Sequence, residues 1–236
     1  MKHIISLFST RKNIFSRRNI VIALLFALGI ALFLSIYDGV QEKEDLATLD
    51  APLLAWTLTS YDPTLAAILR VITDISAPLS LMAITLIGAA IWAWKKRDYW
   101  RPFLLVGAMG LAYISSGIIK TFTARDRPTV TDLLESHASI SYSFPSGHTI
   151  GIAVLLFVVG YFFCAAKPTL RRVLIWALGA FIGVTLVAFS RIYLGYHWLT
   201  DVSASVGLAF VILAIVILID TYVPWYRRRR ATSEAA

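Results

Sequence analysis

The sequence predicts an all-α integral membrane protein with six transmembrane helices. Hydrophobic residues make up 58% of the 236-residue chain and charged residues only 15%, whereas a soluble domain carries about 25% charged residues. Six apolar segments are long enough to cross a hydrocarbon core of about 30 Å as helices. Basic connections alternate with them, so we expect one compact membrane domain.

The six expected spans follow one another from the first apolar run to the last. They cover 20–37, 78–94, 102–122, 150–165 (continuing a helix begun near Pro145), 173–189 and 202–219 extended back to about His197. The first run is longer than the apolar core of a secretory signal and lacks a small-residue cleavage site, which favours an uncleaved helix. The membrane domain is therefore predicted over 19–222, between basic tails at 1–18 and 223–236.

Basic residues predict the orientation of these spans. Of the 22 Lys and Arg residues, all but six lie in the two tails and in the loops at 95–101 and 166–172. The positive-inside rule then places both termini in the cytoplasm and the remaining polar loops outside. Topology and contact with anionic lipids explain the net charge of +8, and because the charge is spread over four separated segments we expect no nucleic-acid partner.

Two short helices are expected at the outer membrane surface between the first two spans. Asp50 and Asp62 each precede a proline closely, as N-cap residues do. Arg70 and Asp74 lie four residues apart, the spacing of a surface salt bridge, and a contact of this pair with substrate stays open. The apolar spacing that suggests an interfacial helix is formed by Leu46, Leu49, Leu53 and Trp56.

Two polar stretches at the outer ends of spans suit a phosphate. Lys120 and Arg127 offer a point charge and a planar, bidentate donor, although both residues are also of the kind that snorkels at an interface. Ser146, Gly147 and His148 follow Pro145 at a helix start, where backbone N–H groups attract an anion and glycine leaves room for a ligand. The alternative for this second stretch is an ordinary helix cap beside an incidental histidine.

A third stretch places Arg191, His197 and Asp201 at a membrane boundary, where such groups are costly without a use. If the segment is helical, His197 and Asp201 share a face, and the carboxylate fixes the imidazole tautomer and leaves the other nitrogen free to attack. A buried structural His–Asp pair is one alternative. A zinc site of His148, His197 and Asp201 is another, which three nearby cations disfavour.

Together the three stretches resemble the motifs of the type 2 phosphatidic acid phosphatase (PAP2) family. The pattern is K-x6-RP from Lys120 to Pro128, then PSGH from Pro145 to His148, then SR-x5-H-x3-D from Ser190 to Asp201. The resemblance covers about residues 60–220. The family includes bacterial undecaprenyl-diphosphate and phosphatidylglycerophosphate phosphatases and, more distantly, vanadium haloperoxidases.

The resemblance implies a role for each motif residue. His197 would attack phosphorus, Asp201 would orient it, and His148 would protonate the leaving oxygen and then activate water. No metal or cofactor is implied, because cations already stabilise the transition state. Cys164, the one cysteine, is expected to be inert. The phosphate oxygens would be held by Lys120, Arg127, Ser146, Gly147 and Arg191.

Short polar loops and a site at the ends of spans favour a lipid phosphate as substrate. We expect undecaprenyl diphosphate first, with phosphatidylglycerophosphate or phosphatidic acid as alternatives, in a bacterial cytoplasmic membrane with the site on the extracytoplasmic side. Head-group contacts are expected from Arg125, Asp126 and the loop 129–142 with His137. A lipid phosphotransferase or a non-catalytic lipid-binding protein stays open as another class, as does the oligomeric state.

Overall fold

The protein was analysed as a computed structural model, which describes residues 17–128, 142–167 and 169–234, the side chains from 18 to 223. Within these residues the chain folds into long helices, with short helices after the first of them. In chain order they are α1 (Arg17–Glu42), a 3-10 helix (Asp45–Leu49), α2 (Asp50–Thr59), α3 (Pro63–Ile75), α4 (Pro78–Lys96), α5 (Trp100–Thr123), α6 (Gly147–Ala166), α7 (Leu170–Tyr193) and α8 (Leu199–Glu234).

Six of these helices (α1, α4, α5, α6, α7 and α8) are long and apolar enough to cross a membrane, which confirms the predicted fold class. The shortest has 19 residues and so measures about 28 Å. The helices extend beyond the predicted apolar runs, and the residues added at the end of α4 and at the start of α5 are basic or aromatic, as is common at a membrane interface. The last one begins at Leu199, not near His197, so His197 lies in the turn before it.

Helix α6 lies at the centre of the bundle, against α4, α5, α7 and α8. Its buried side is mainly apolar and packs on the face of α8 that carries Ala209, Ile212 and Val216. Helix α1 packs along α8 on the outside of this core. Close approach there depends on two glycines, since a Cβ added to Gly29 would lie 2.6 Å from the carbonyl oxygen of Gly207.

The two short helices differ in how they begin. Asp62 caps α3 as predicted, because its carboxylate accepts a hydrogen bond from the backbone N–H of Leu65 at 2.7 Å. The prediction that Asp50 caps α2 is wrong: Leu49 holds the N-cap position without a side-chain bond. Asp50 is buried and instead accepts from the backbone N–H of Thr200, at 3.1 Å, because this distant donor outcompetes the local one.

Both short helices expose large apolar side chains. Helix α2 buries Asp50 and Thr57 while leaving Trp56 about half exposed. Helix α3 exposes Ile68 and Val71. This pattern is typical of helices that rest on a membrane surface. They lie at the end of the bundle where α5 and α7 end and α6 and α8 begin, which we call the site end.

Candidate active site

The alternating direction of the long helices brings the three motif stretches together at the site end. Lys120, in the last turn of α5, donates from Nζ to the carbonyl oxygens of Tyr142 and Ser143 at 2.5 and 3.0 Å. Arg127 donates from Nη1 to the carbonyl oxygen of Tyr196 at 2.7 Å. Lys120 thus contacts the segment just before the second stretch, and Arg127 contacts the third stretch.

The second stretch begins α6 and is fastened to α8. Ser146 is the N-cap and is fully buried, and its hydroxyl accepts from the backbone N–H of Thr149 at 3.4 Å. Its own backbone N–H donates to the hydroxyl of Ser205, at 2.9 Å. The helix begins at Gly147, so its first N–H groups have no intrahelical acceptor and can hold an anion.

Gly147 is not required by protein packing. A Cβ added there would meet only Pro78 Cγ within 4 Å, at an ordinary 3.6 Å. The close approach that glycine permits is therefore available to a ligand.

Arg191 is a buried cation with an unused donor. It is 6% exposed, its guanidinium carbon lies 4.1 Å from the ring centroid of Tyr196, and its Nη1 is 3.4 Å from Thr73 Oγ1. Its Nε, however, has no hydrogen-bond partner among the described residues. A buried donor without a partner costs about 1–3 kcal/mol, and a bound phosphate oxygen would remove that cost.

A tight turn after α7 places His197 beside Asp201. The carbonyl of Arg191 accepts from the backbone N–H groups of Tyr196 and His197, at 2.9 and 3.2 Å, and Gly195 takes a positive φ of 70°. The Nδ1 atom of His197 then lies 3.1 Å from Asp201 Oδ2. The same oxygen accepts from the backbone N–H of Trp198 at 3.0 Å, as in a capping box.

Burial and neighbouring cations favour the neutral form of the His197 imidazole. The ring is 2% exposed. This burial, followed by the charges of Arg191, Arg127 and Lys120, holds the pKa of His197 well below its usual 6.5. Since an ionised Asp201 can only accept, we assign the proton to Nδ1. The lone pair is then on Nε2, which lies 3.4 Å from Arg127 Nη1.

His148 is half-buried in the first turn of α6 and lies within electrostatic range of His197, Arg191 and Arg127. All eight predicted site residues therefore belong to the site end. Within residues 17–128, 142–167 and 169–234, no group of three or more His, Cys, Asp or Glu side chains forms a metal-binding cluster.

Arg125 has a different place from the one predicted. It was expected at a lipid head group, but its Nη1 donates to Asp201 Oδ1 and its Nη2 to Asp50 Oδ2, both at 2.7 Å. Sequence reasoning missed Asp50 and Thr200 altogether as parts of the site. The only feature of the sequence that could have pointed to them is the position of Arg125, two residues before the motif residue Arg127. Most of the loop expected to contact the head group, including His137, lies outside the described residues.

The sequence profile of the PAP2 superfamily matches residues 101–225, more than half of the chain. The chain belongs to the PAP2 superfamily. Two curated proteins of Bacillus subtilis (strain 168) are similar to it. Phosphatidylglycerophosphatase B is 28% identical over 208 residues, which are 87% of this chain and 97% of that protein. Undecaprenyl-diphosphatase BcrC is 30% identical over 159 residues, which are 66% and 75% of the two chains.

Two crystal structures share the PAP2 fold seen here. A transmembrane PAP2-type phosphatidylglycerolphosphate phosphatase from Bacillus subtilis superposes with a TM-score of 0.70 over 86% of this chain and 96% of its own, at 24% identity. Aquifex aeolicus LpxE gives a TM-score of 0.53 over 72% and 94%, also at 24% identity. The profile match and the two curated relatives confirm the expectation of a PAP2 membrane lipid phosphatase, and the two structures confirm its fold.

Proposed function

We propose that this PAP2 protein hydrolyses the terminal phosphate of a membrane lipid through a phosphohistidine at His197. The observation that carries the proposal is the state of that ring, which is neutral, buried and paired with Asp201 through Nδ1. Its other nitrogen lies 3.4 Å from Arg127 Nη1. The charge of Arg191, whose Nε has no partner among the described residues, also acts on the ring. Asp201 holds Nδ1 of the ring in place, and Nε2 faces cations that attract a phosphate. A histidine in this arrangement is suited to attack phosphorus.

The reaction would run in two displacements. In the first, Nε2 of His197 forms a bond to phosphorus as the bond from phosphorus to the lipid oxygen breaks, and His148 donates a proton to that oxygen. In the second, His148 accepts a proton from water, which attacks phosphorus and releases inorganic phosphate and the free imidazole. Asp201 stabilises the charge on the ring in both steps. The non-bridging oxygens are held by Lys120, Arg127, Arg191, Ser146 and the N–H of Gly147.

Undecaprenyl diphosphate is the first candidate substrate, in line with the named activity of BcrC. Phosphatidylglycerophosphate is the second, favoured by the match to nearly the whole length of phosphatidylglycerophosphatase B. Both carry a terminal phosphate on a lipid, and the residues proposed to bind it do not distinguish them. A lipid substrate is supported further by the apolar exposed faces of α2 and α3 beside the site.

The proposed location is a bacterial cytoplasmic membrane, with the site end outside and both termini inside. The single domain spans 19–222, and its basic tails interact with the anionic cytoplasmic leaflet. The positions of the basic residues support this orientation.

The test is phosphate release by the purified full-length protein from a side-by-side panel of these lipids and phosphatidic acid. Hydrolysis in EDTA that disappears in His197→Ala is expected. Hydrolysis that survives in His197→Ala would overturn the mechanism. Transfer of label to a lipid acceptor without phosphate release would indicate a phosphotransferase, and binding without turnover a lipid-binding protein.

A further inference from the structure

Asp201 uses its two carboxylate oxygens for two different purposes. Oδ2 faces His197 and the backbone N–H of Trp198, while Oδ1 accepts from Arg125 Nη1 at 2.7 Å. The carboxylate is fully buried. Its orientation toward the imidazole is therefore set on its far side by a single guanidinium group.

Arg125 is itself held from a second direction. Its Nη2 donates to Asp50 Oδ2 at 2.7 Å, and its Nη1 also donates to Thr200 Oγ1 at 2.6 Å. Thr200 in turn donates two hydrogen bonds to Asp50, from its hydroxyl at 2.7 Å and from its backbone N–H at 3.1 Å. The resulting closed ring, Asp50–Arg125–Thr200, joins α2, the segment after α5 and the first turn of α8.

The guanidinium of Arg125 is committed to this ring. Both of its terminal nitrogens donate to protein acceptors, its carbon lies 5.5 Å from the ring centroid of Trp198, and the side chain is 17% exposed. Arg191, in contrast, keeps a buried donor without a partner. We therefore assign Arg125 to contacts within the protein and Arg191 to a contact with the substrate.

We propose that Arg125 and Asp50 are positioning residues of the phosphatase. They keep Asp201 ionised and aimed at Nδ1 of His197, so that Nε2 carries the lone pair and points at phosphorus. This inference rests on the proposed function, in which His197 is the nucleophile.

The charges of the ring explain why both Arg125 and Asp50 are needed. Without the guanidinium, two buried carboxylates would face each other across the ring, and one of them would take up a proton to relieve the repulsion. A protonated Asp201 no longer stabilises the charge that develops on His197. Without the carboxylate of Asp50, Arg125 loses the partner that fixes its planar fork, and Thr200 loses the acceptor of its backbone N–H.

The kinetic test compares Arg125→Met, Arg125→Lys and Asp50→Asn in the full-length protein, with undecaprenyl diphosphate and phosphatidylglycerophosphate as substrates. Loss of a partner that orients a metal-binding histidine typically costs about 10–100-fold. We expect a similar factor for a catalytic histidine, so Arg125→Met should lower kcat by that much with KM nearly unchanged. Arg125→Lys should restore part of the loss. Asp62→Asn is the matched control, because Asp62 caps α3 at the same end but does not contact the ring, and its kcat should not change.

A second step separates positioning from substrate binding. In an Asp201→Asn background, Arg125→Met should cause no further loss, because Arg125 acts through Asp201. A loss that persists there together with a raised KM, as expected for Arg127→Ala, would make Arg125 a phosphate ligand and overturn the inference. An unchanged kcat per folded protein in Arg125→Met would also overturn it.

A spectroscopic readout decides the inference without turnover. In protein labelled with 15N-histidine, and with His197→Gln to assign the signals, His197 should show the Nδ1–H tautomer in wild type and Asp62→Asn. It should show a mixture of tautomers in Arg125→Met. An unchanged tautomer in Arg125→Met contradicts the inference, whereas a wild-type protein that releases no phosphate from any lipid contradicts only the proposed function.

Discussion

At the residue scale, His197 is enclosed by groups that oppose its protonation. Burial and three cations lower the pKa of His197, and a hydrogen bond with the backbone of Ser143 opposes them only in part. The carboxylate of Asp201, which contacts the other side of the ring, is already paired with Arg125. The neutral ring has a consequence for stability as well as for catalysis, because the unfolded chain exposes an ordinary histidine.

The stability of the protein should therefore depend on the pH through His197. The unfolded chain takes up a proton near pH 6.5 while the native ring does not, so this contribution is complete above pH 6.5 and is lost as the pH falls. At pH 5.5 the loss is about 1.4 kcal/mol. Denaturation in detergent at pH 7.5 and 5.5 should show wild type losing that much more than His197→Gln. Equal losses would show that the native ring is protonated.

At the element scale, an aspartate shortly before a proline predicted a helix N-cap at two positions, and only one of the two is a cap. Asp62 caps α3 because the nearest free donors are those of its own helix. Asp50 stands in a similar sequence, yet its carboxylate is drawn to Thr200, 150 residues away, and to Arg125, 75 residues away. Capping chemistry is local and could be predicted from the sequence, whereas this ring depends on how the helices pack, which no local pattern encodes.

Helix packing also makes a prediction at the crossing of α1 and α8. A Cβ on Gly29 would lie 2.6 Å from Gly207 O and 2.9 Å from Val211 N, both backbone atoms that cannot rotate away. Gly29→Ala should therefore lower the free energy of unfolding by about 1–3 kcal/mol, the usual cost of overpacking. Gly88→Ala is the matched control, since an added Cβ there meets nothing within 4 Å. Equal stability of the two variants would show that α1 and α8 do not cross this closely.

At the scale of the whole molecule, the six spans and the gathering of the three motifs at one end followed from apolar run lengths and the alternation of basic loops. The motif residues could be predicted because each lies close to the end of a span, and alternate ends meet. Arg125 could not be assigned, because its choice between a lipid head group and two carboxylates depends on the position of α2 over the site.

The orientation in the membrane can be tested with single cysteines in a Cys164→Ser background. Thr59 and Lys95 are exposed at opposite ends of the bundle. A membrane-impermeant maleimide should label Thr59→Cys in intact cells and Lys95→Cys only after permeabilisation. The reverse pattern would place the site end in the cytoplasm and contradict the proposed location.

The most direct test of the central claim is the capture of the phosphoenzyme. Full-length protein is mixed with lipid substrate carrying 32P in its terminal phosphate, quenched in alkali because phosphohistidine is acid-labile, and cleaved into peptides. The mechanism predicts label on the peptide that contains His197, none in His197→Ala, and no loss of the labelling step in Asp62→Asn. Label on any other residue, or turnover in His197→Ala, would contradict it.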